Sequence, residues 1–105
     1  KTIVSAILAK ALNADYWKPI QCGSQRDKKT VEELLDCKKT THPEALFLKT
    51  PCSPHKAAKI EGLHINERRI DPPVTSRPLI IEGCGGIFVP LNQNALMIDL
   101  MQSWD

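Results

Sequence analysis

The run Leu79-Ile80-Ile81, closed by Glu82-Gly83-Cys84-Gly85-Gly86, constrains this chain more than any other stretch. Three β-favouring aliphatic residues with no polar alternation predict a strand buried on both faces, as strands of parallel sheets are. In open α/β sheets ligands gather at the carboxyl ends of strands, so Glu82 stands where chemistry is done. A carboxylate there suits Mg2+, which takes one or two carboxylates together with phosphate oxygens. Gly83 and Gly85, with Cys84 between them, let backbone N–H groups approach an anion closely. Taken alone, the pattern fits a tight structural turn equally well.

The rest of the chain alternates helical and extended signals. Ile3, Val4, Ile7, Leu8, Ala11 and Leu12 recur at helical spacing and predict a helix over residues 1–12 packed on a sheet. Lys10 interrupts the apolar run that a secretory leader needs. Residues 13–15 form a helix-ending turn, and 16–20 a short strand whose ladder pairing stops at Pro19. Residues 21–27 read as a polar loop, 30–35 as a helix and 45–48 as a buried strand. Ser53 and Pro54 open a helix as N-cap and N1, and Gly62 stops it. Three prolines between residues 66 and 78 make that stretch a connector, and a last helix begins across 96–101. Strands alternating with helices argue for an α/β fold with a mostly parallel sheet.

Charge and cysteine usage narrow the class. A net charge of +2 on 105 residues does not call for a nucleic-acid partner, and the paired lysines and arginines are scattered solubilising faces. No stretch is apolar enough for a membrane-spanning helix. The four cysteines contain no C-x-x-C pair, so they read as reduced intracellular thiols rather than two disulfides or a zinc site. His42 and His64 lie in polar turns, and His55 at a helix start reads as structural. Trp17 is expected to pack.

Two further clusters carry chemistry. Lys18 ends a strand and is followed by a loop with Cys22, Ser24 and Asp27. Lys1-Thr2 heads an amphipathic helix, as the end of a phosphate-binding G-x-x-x-x-G-K-[ST] loop does.

Together these segments resemble the dethiobiotin synthetase family. The resemblance rests on Lys1-Thr2 before Ile-Val-Ser-Ala, Tyr-Trp-Lys-Pro-Ile-Gln-Cys-Gly at 16–23, Asp27, Ser-Pro-His-Lys-Ala-Ala at 53–58, and Ile-Ile-Glu-Gly-Cys-Gly-Gly-Ile-Phe-Val-Pro-Leu at 80–91. It implies a P-loop NTPase-like α/β domain of which residues 1–105 are a part, with a Gly-rich loop upstream and a second half downstream. It also implies a cytoplasmic homodimer in biotin biosynthesis that uses ATP, Mg2+ and CO2 to close a ureido ring on 7,8-diaminononanoate. Lys1 would then hold phosphates, and Thr2, Asp27 and Glu82 the metal, with Asp36 a rival to Asp27. Gly83, Cys84 and Gly85 would line the nucleotide site, Lys18 would be the catalytic lysine, and Cys22 would meet the diamine. The family usually has a small hydroxyl residue where Cys22 stands and Ala where Cys84 stands. A partitioning-type ATPase switch and an inactive fragment are the competing expectations.

Overall fold

In the computed structural model, which describes residues 1–104, the chain begins with helix α1, Thr2–Ala11. Asn13, in the left-handed conformation at φ 50° that asparagine tolerates, turns the chain into β1, Asp15–Trp17. Then follow β2 (Ile20–Cys22), α2 (Asp27–Leu35), β3 (Thr41–His42), β4 (Leu46–Leu48), α3 (Pro54–Ile60), β5 (Leu79–Ile81) and α4 (Met97–Gln102). A single 3-10 turn, Glu67–Arg69, interrupts the proline-rich connector. Every strand pair is parallel: one sheet has the order β3-β1-β5, and the other pairs β2 with β4. This is the α/β fold that the alternating elements predict.

Pro19 divides what reads in the sequence as one strand. It ends β1, as expected, but the chain stays extended beyond it, and Gln21 and Cys22 belong to β2 rather than to a loop. The two sheets therefore diverge at Lys18-Pro19.

Successive side chains of β1 point to opposite faces of its sheet, and each nucleates a core. Trp17 packs with Ile20, Leu48, Met97 and Leu100, and its ring meets Trp104 at 5.4 Å between centroids. Tyr16 packs on the other face with Ala6 and Val31, under α1 and α2. Gly62, with φ 69°, terminates the α3 segment as expected, although Ser53 occupies the N-cap without a side-chain capping bond. β5 is half-buried rather than buried on both faces, because it lies at the edge of its three-stranded sheet.

Helix α1 packs on the sheet with the face opposite to the one its periodicity marks. Ser5, Ala6 and Ala9 are buried, whereas Ile3 and Ile7 are 66% and 61% exposed. Small residues let the helix backbone come close to β1 and β5, and the bulky aliphatic face is turned outward. Replacing Ala9 by Leu should cost about 1–3 kcal/mol by overpacking, read as a lower urea midpoint with unchanged slope; an unchanged midpoint would mean that the helix sits further from the sheet.

At the amino end of β1, Asp15 is a buried junction. His42 Nε2 donates to its Oδ2 at 2.9 Å and Thr75 Oγ1 at 2.7 Å, while Arg77 Nε lies 3.0 Å from Oδ1. His42 is thus a half-buried residue of β3, not a solvated turn histidine. Burial pushes the Asp15 carboxyl up, but the Thr75 and His42 bonds and the charges of His42 and Arg77 hold it below its ordinary value. Its stabilising contribution is therefore complete above the unfolded value of about 3.9 and is lost as pH falls through the lower folded value. Asp15→Asn should lower the melting temperature at neutral pH, and the gap from the unaltered protein should close in acid below about pH 4.

Candidate functional site

The parallel pairing of β1 with β5 sets Trp17 beside Ile81, and the Glu82 N–H donates to the Trp17 carbonyl at 3.0 Å. Lys18 and Glu82 therefore leave two adjacent strands at the same level and at the same, carboxyl, end. Both are buried, each 5% exposed or less. A charge so far from water is costly unless it is paired and hydrogen-bonded.

The partners come from three directions. Tyr16 OH donates to Glu82 Oε2 at 2.6 Å, and Thr2 Oγ1, in the first turn of α1, donates to Glu82 Oε1 at 3.0 Å. The Lys18 ammonium lies 3.9 Å from Glu82 Oε1 and forms a closer ion pair with Asp27, the first residue of α2. Asp27 is held in turn by its own N–H, which donates to Gln21 Oε1 at 3.1 Å. The Lys1 ammonium donates to the carbonyls of Gly83 and Gly85. The glycine loop thus meets Lys1 with acceptors, where the sequence led us to expect anion-binding N–H groups. Gly85 has φ 75°, and a Cβ there would come within 2.8 Å of Val89 Cγ2, so that turn needs glycine.

Lys18, Gln21, Cys22, Ser24, Asp27 and Cys84 line a cavity of about 390 Å3 that opens to solvent. The neighbouring Cys84 thiol and burial push the Cys22 thiol up. The Cys22 thiol, helped by the Lys18 charge and opposed by burial, brings Cys84 down to about 7. Burial, the Glu82 bond and the charges of Glu82 and Asp27 push the Tyr16 phenol far up, so it stays a donor at any physiological pH.

Nine residues singled out in the sequence for this site lie in one region: Lys1, Thr2, Lys18, Cys22, Asp27, Glu82, Gly83, Cys84 and Gly85. Asp36 does not. It caps the far end of α2 in a left-handed conformation, about 13 Å along the helix from Asp27. His55 lines a different cavity, with Lys59, His64 and Asn92. Tyr16 and Gln21 escaped the sequence reading. The available signal was the two-residue spacing of Tyr16 and Lys18, which puts both side chains on one side of an extended chain.

Hard oxygen donors at Thr2, Asp27 and Glu82 fit Mg2+ chemically. Among the described residues no three His, Cys, Asp or Glu side chains gather into a cluster that could hold a metal ion by themselves, and Mg2+ takes one or two carboxylates together with waters and phosphate oxygens.

The family model described as an AAA domain matches residues 1–105. An ATP-dependent dethiobiotin synthetase of Paramagnetospirillum magneticum is 52% identical over 104 residues, covering 97% of this chain and 50% of that protein. The enzymes of the same name from Chlamydia pneumoniae and Christiangramia forsetii are 50% and 45% identical, over 99% and 100% of this chain and 48% and 52% of theirs. The chain thus spans about half the length of the curated relatives it matches.

Removing the Tyr16 hydroxyl by Tyr16→Phe leaves one oxygen of a buried carboxylate without its donor, and should cost about 1–3 kcal/mol of stability in urea denaturation. An unchanged midpoint would show that Glu82 does not depend on Tyr16.

Proposed function

The chain belongs to the AAA-domain family and is homologous to the dethiobiotin synthetases along its whole length, and from that premise we propose that the full-length protein closes the ureido ring of dethiobiotin from 7,8-diaminononanoate, CO2 and ATP. The observation that carries the proposal is the convergence of Lys18, Thr2 and the carboxylates of Asp27 and Glu82 at one sheet end. In this reading the protein is a cytoplasmic, homodimeric ligase whose partners are small molecules.

One amine of the substrate adds to CO2 and loses a proton, giving a carbamate. The γ-phosphoryl group of ATP passes to a carbamate oxygen and leaves ADP behind. The second amine attacks the carbamoyl carbon, and inorganic phosphate departs. Each species between substrate and product is anionic. A buried ammonium held in place before the reaction stabilises charge that grows in the transition state, and phosphoryl transfer is governed largely by such positioning. Lys18 has that character: it is 5% exposed, fixed by Asp27 and open to the cavity on its remaining side.

Lys1 contributes a cation for the β- and γ-phosphates at the start of α1, where the helix dipole also favours an anion. Thr2, Asp27 and Glu82 would hold Mg2+, which supplies charge neutralisation between phosphate oxygens when bound. Gly83, Cys84 and Gly85 would border the nucleotide. Cys22, at the wall of the Lys18 cavity, would contact the diamine with a thiol, a weaker hydrogen-bond partner than a hydroxyl.

Incubating the full-length protein with the diamine, bicarbonate, ATP and Mg2+ should release phosphate and dethiobiotin in equal amounts. Lys18→Ala should lower kcat by about 100-fold or more with little change in the KM for ATP. Absence of product with this diamine would overturn the assignment, and an unchanged kcat would remove Lys18 from the chemistry.

A further inference from the structure

His55 and Lys59 stand four residues apart on α3 and so share one face of that helix. After α3 the chain turns at Gly62 and brings His64 to the same side. The segment from Pro90 to Gln93 forms the facing wall, and it is clipped at two points. The Pro90 carbonyl accepts the His55 N–H at 3.3 Å, and Asn92 Nδ2 donates to the Ile65 carbonyl at 2.9 Å. Between these walls lies a cavity of about 370 Å3 that shares no residue with the Lys18 cavity. Its size falls within the range of about 300–1,000 Å3 common to small-molecule sites. Ala58, Ile65 and Leu91 are buried and make the floor, while Lys59, His64 and Gln93 are exposed and make the rim.

The charged lining has one sign. Lys59 makes no ion pair among the described residues, and the imidazoles of His55 and His64 make no side-chain hydrogen bond there. No carboxylate lines the cavity. The two carboxylates nearest in the chain are engaged elsewhere: Glu61 accepts the N–H groups of Lys49 and Thr50, and Glu67 Oε2 accepts from Asn92 at 2.6 Å. We propose that this cavity is a second ligand site, for a small aliphatic carboxylate. Lys59 pairs with the carboxylate, the His55 and His64 ring N–H groups donate to it, and the aliphatic tail lies on Ile65 and Leu91. The tail also covers Leu63, an apolar wall residue otherwise 51% exposed. Charge-assisted hydrogen bonds select the anion, and the two backbone clips hold the walls before a ligand arrives, which lowers the cost of ordering them. The site stands whatever reaction takes place at Lys18.

Titrating the full-length protein with octanoate, octylamine and inorganic phosphate, read by two-dimensional NMR, separates the headgroup from the tail. Octanoate should give saturable shifts of the Lys59, His64 and Gln93 amides. Octylamine, with the same tail and the opposite charge, should leave those amides unmoved, and phosphate, a headgroup without a tail, should bind them more weakly than octanoate. Lys59→Met keeps an unbranched stem on an exposed helix position and should weaken octanoate binding about 10-fold or more. Octanoate shifts that do not saturate or that spare Lys59 and His64, equal shifts with octylamine, phosphate binding as tight as octanoate, or an unchanged affinity of the Lys59→Met protein would each overturn the proposal. The three titrations of the unsubstituted protein decide the matter even where the variant fails to fold.

Discussion

A carboxylate withdrawn from water organises this molecule. Glu82 is 4% exposed, and a carboxylate so buried needs hydrogen-bond donors supplied by the protein. Those donors arrive from the first turn of α1, from β1 and from the residue that follows β1. Satisfying one side chain therefore fixes where α1 begins and which register β1 takes against β5. Lys18 carries the constraint onward, because its second carboxylate, Asp27, opens α2. The polar end of the sheet is thus a single electrostatic unit, and α1, α2 and β5 are placed by it as much as by the apolar cores beneath.

Much of this is legible in the amino-acid sequence. An apolar run closed by Glu82 and glycines marks a strand end, and Lys18 marks a second one, so two strand ends of one parallel sheet were expected to meet. Tyr16 and Gln21 were not legible as site residues. The Tyr16 hydroxyl finds its acceptor 66 residues away, and no local pattern encodes so distant a partner. Gln21 acts by orienting the backbone of Asp27 from within a strand that reads as loop, because Pro19 was expected to end the extended chain there. Proline does forbid a ladder bond at its own nitrogen, but the chain resumed pairing one residue later, with a different strand.

Helix α1 shows a second limit of pattern reading. Hydrophobic spacing identifies a helix correctly and says which residues share a face, but not which face is turned inward. Close approach to a sheet favours the face with the smallest side chains, and Ser5, Ala6 and Ala9 provide it. The half-buried state of β5 has a similar origin: its composition describes a strand with neighbours on all sides, while its sheet supplies one hydrogen-bonded neighbour.

The break at Lys18-Pro19 has a consequence for the cavity. Its walls belong to two separate hydrogen-bonded sheets, with Lys18 and Cys84 on one side and Cys22 on the other. No ladder of backbone bonds spans the gap, so its width is not set by strand spacing. It is set by the volume of the apolar side chains wedged between the sheets, Ile20, Leu48 and Met97 among them. These residues line no part of the cavity, yet a methylene gained or lost among them would be felt in the spacing of the two sheets above.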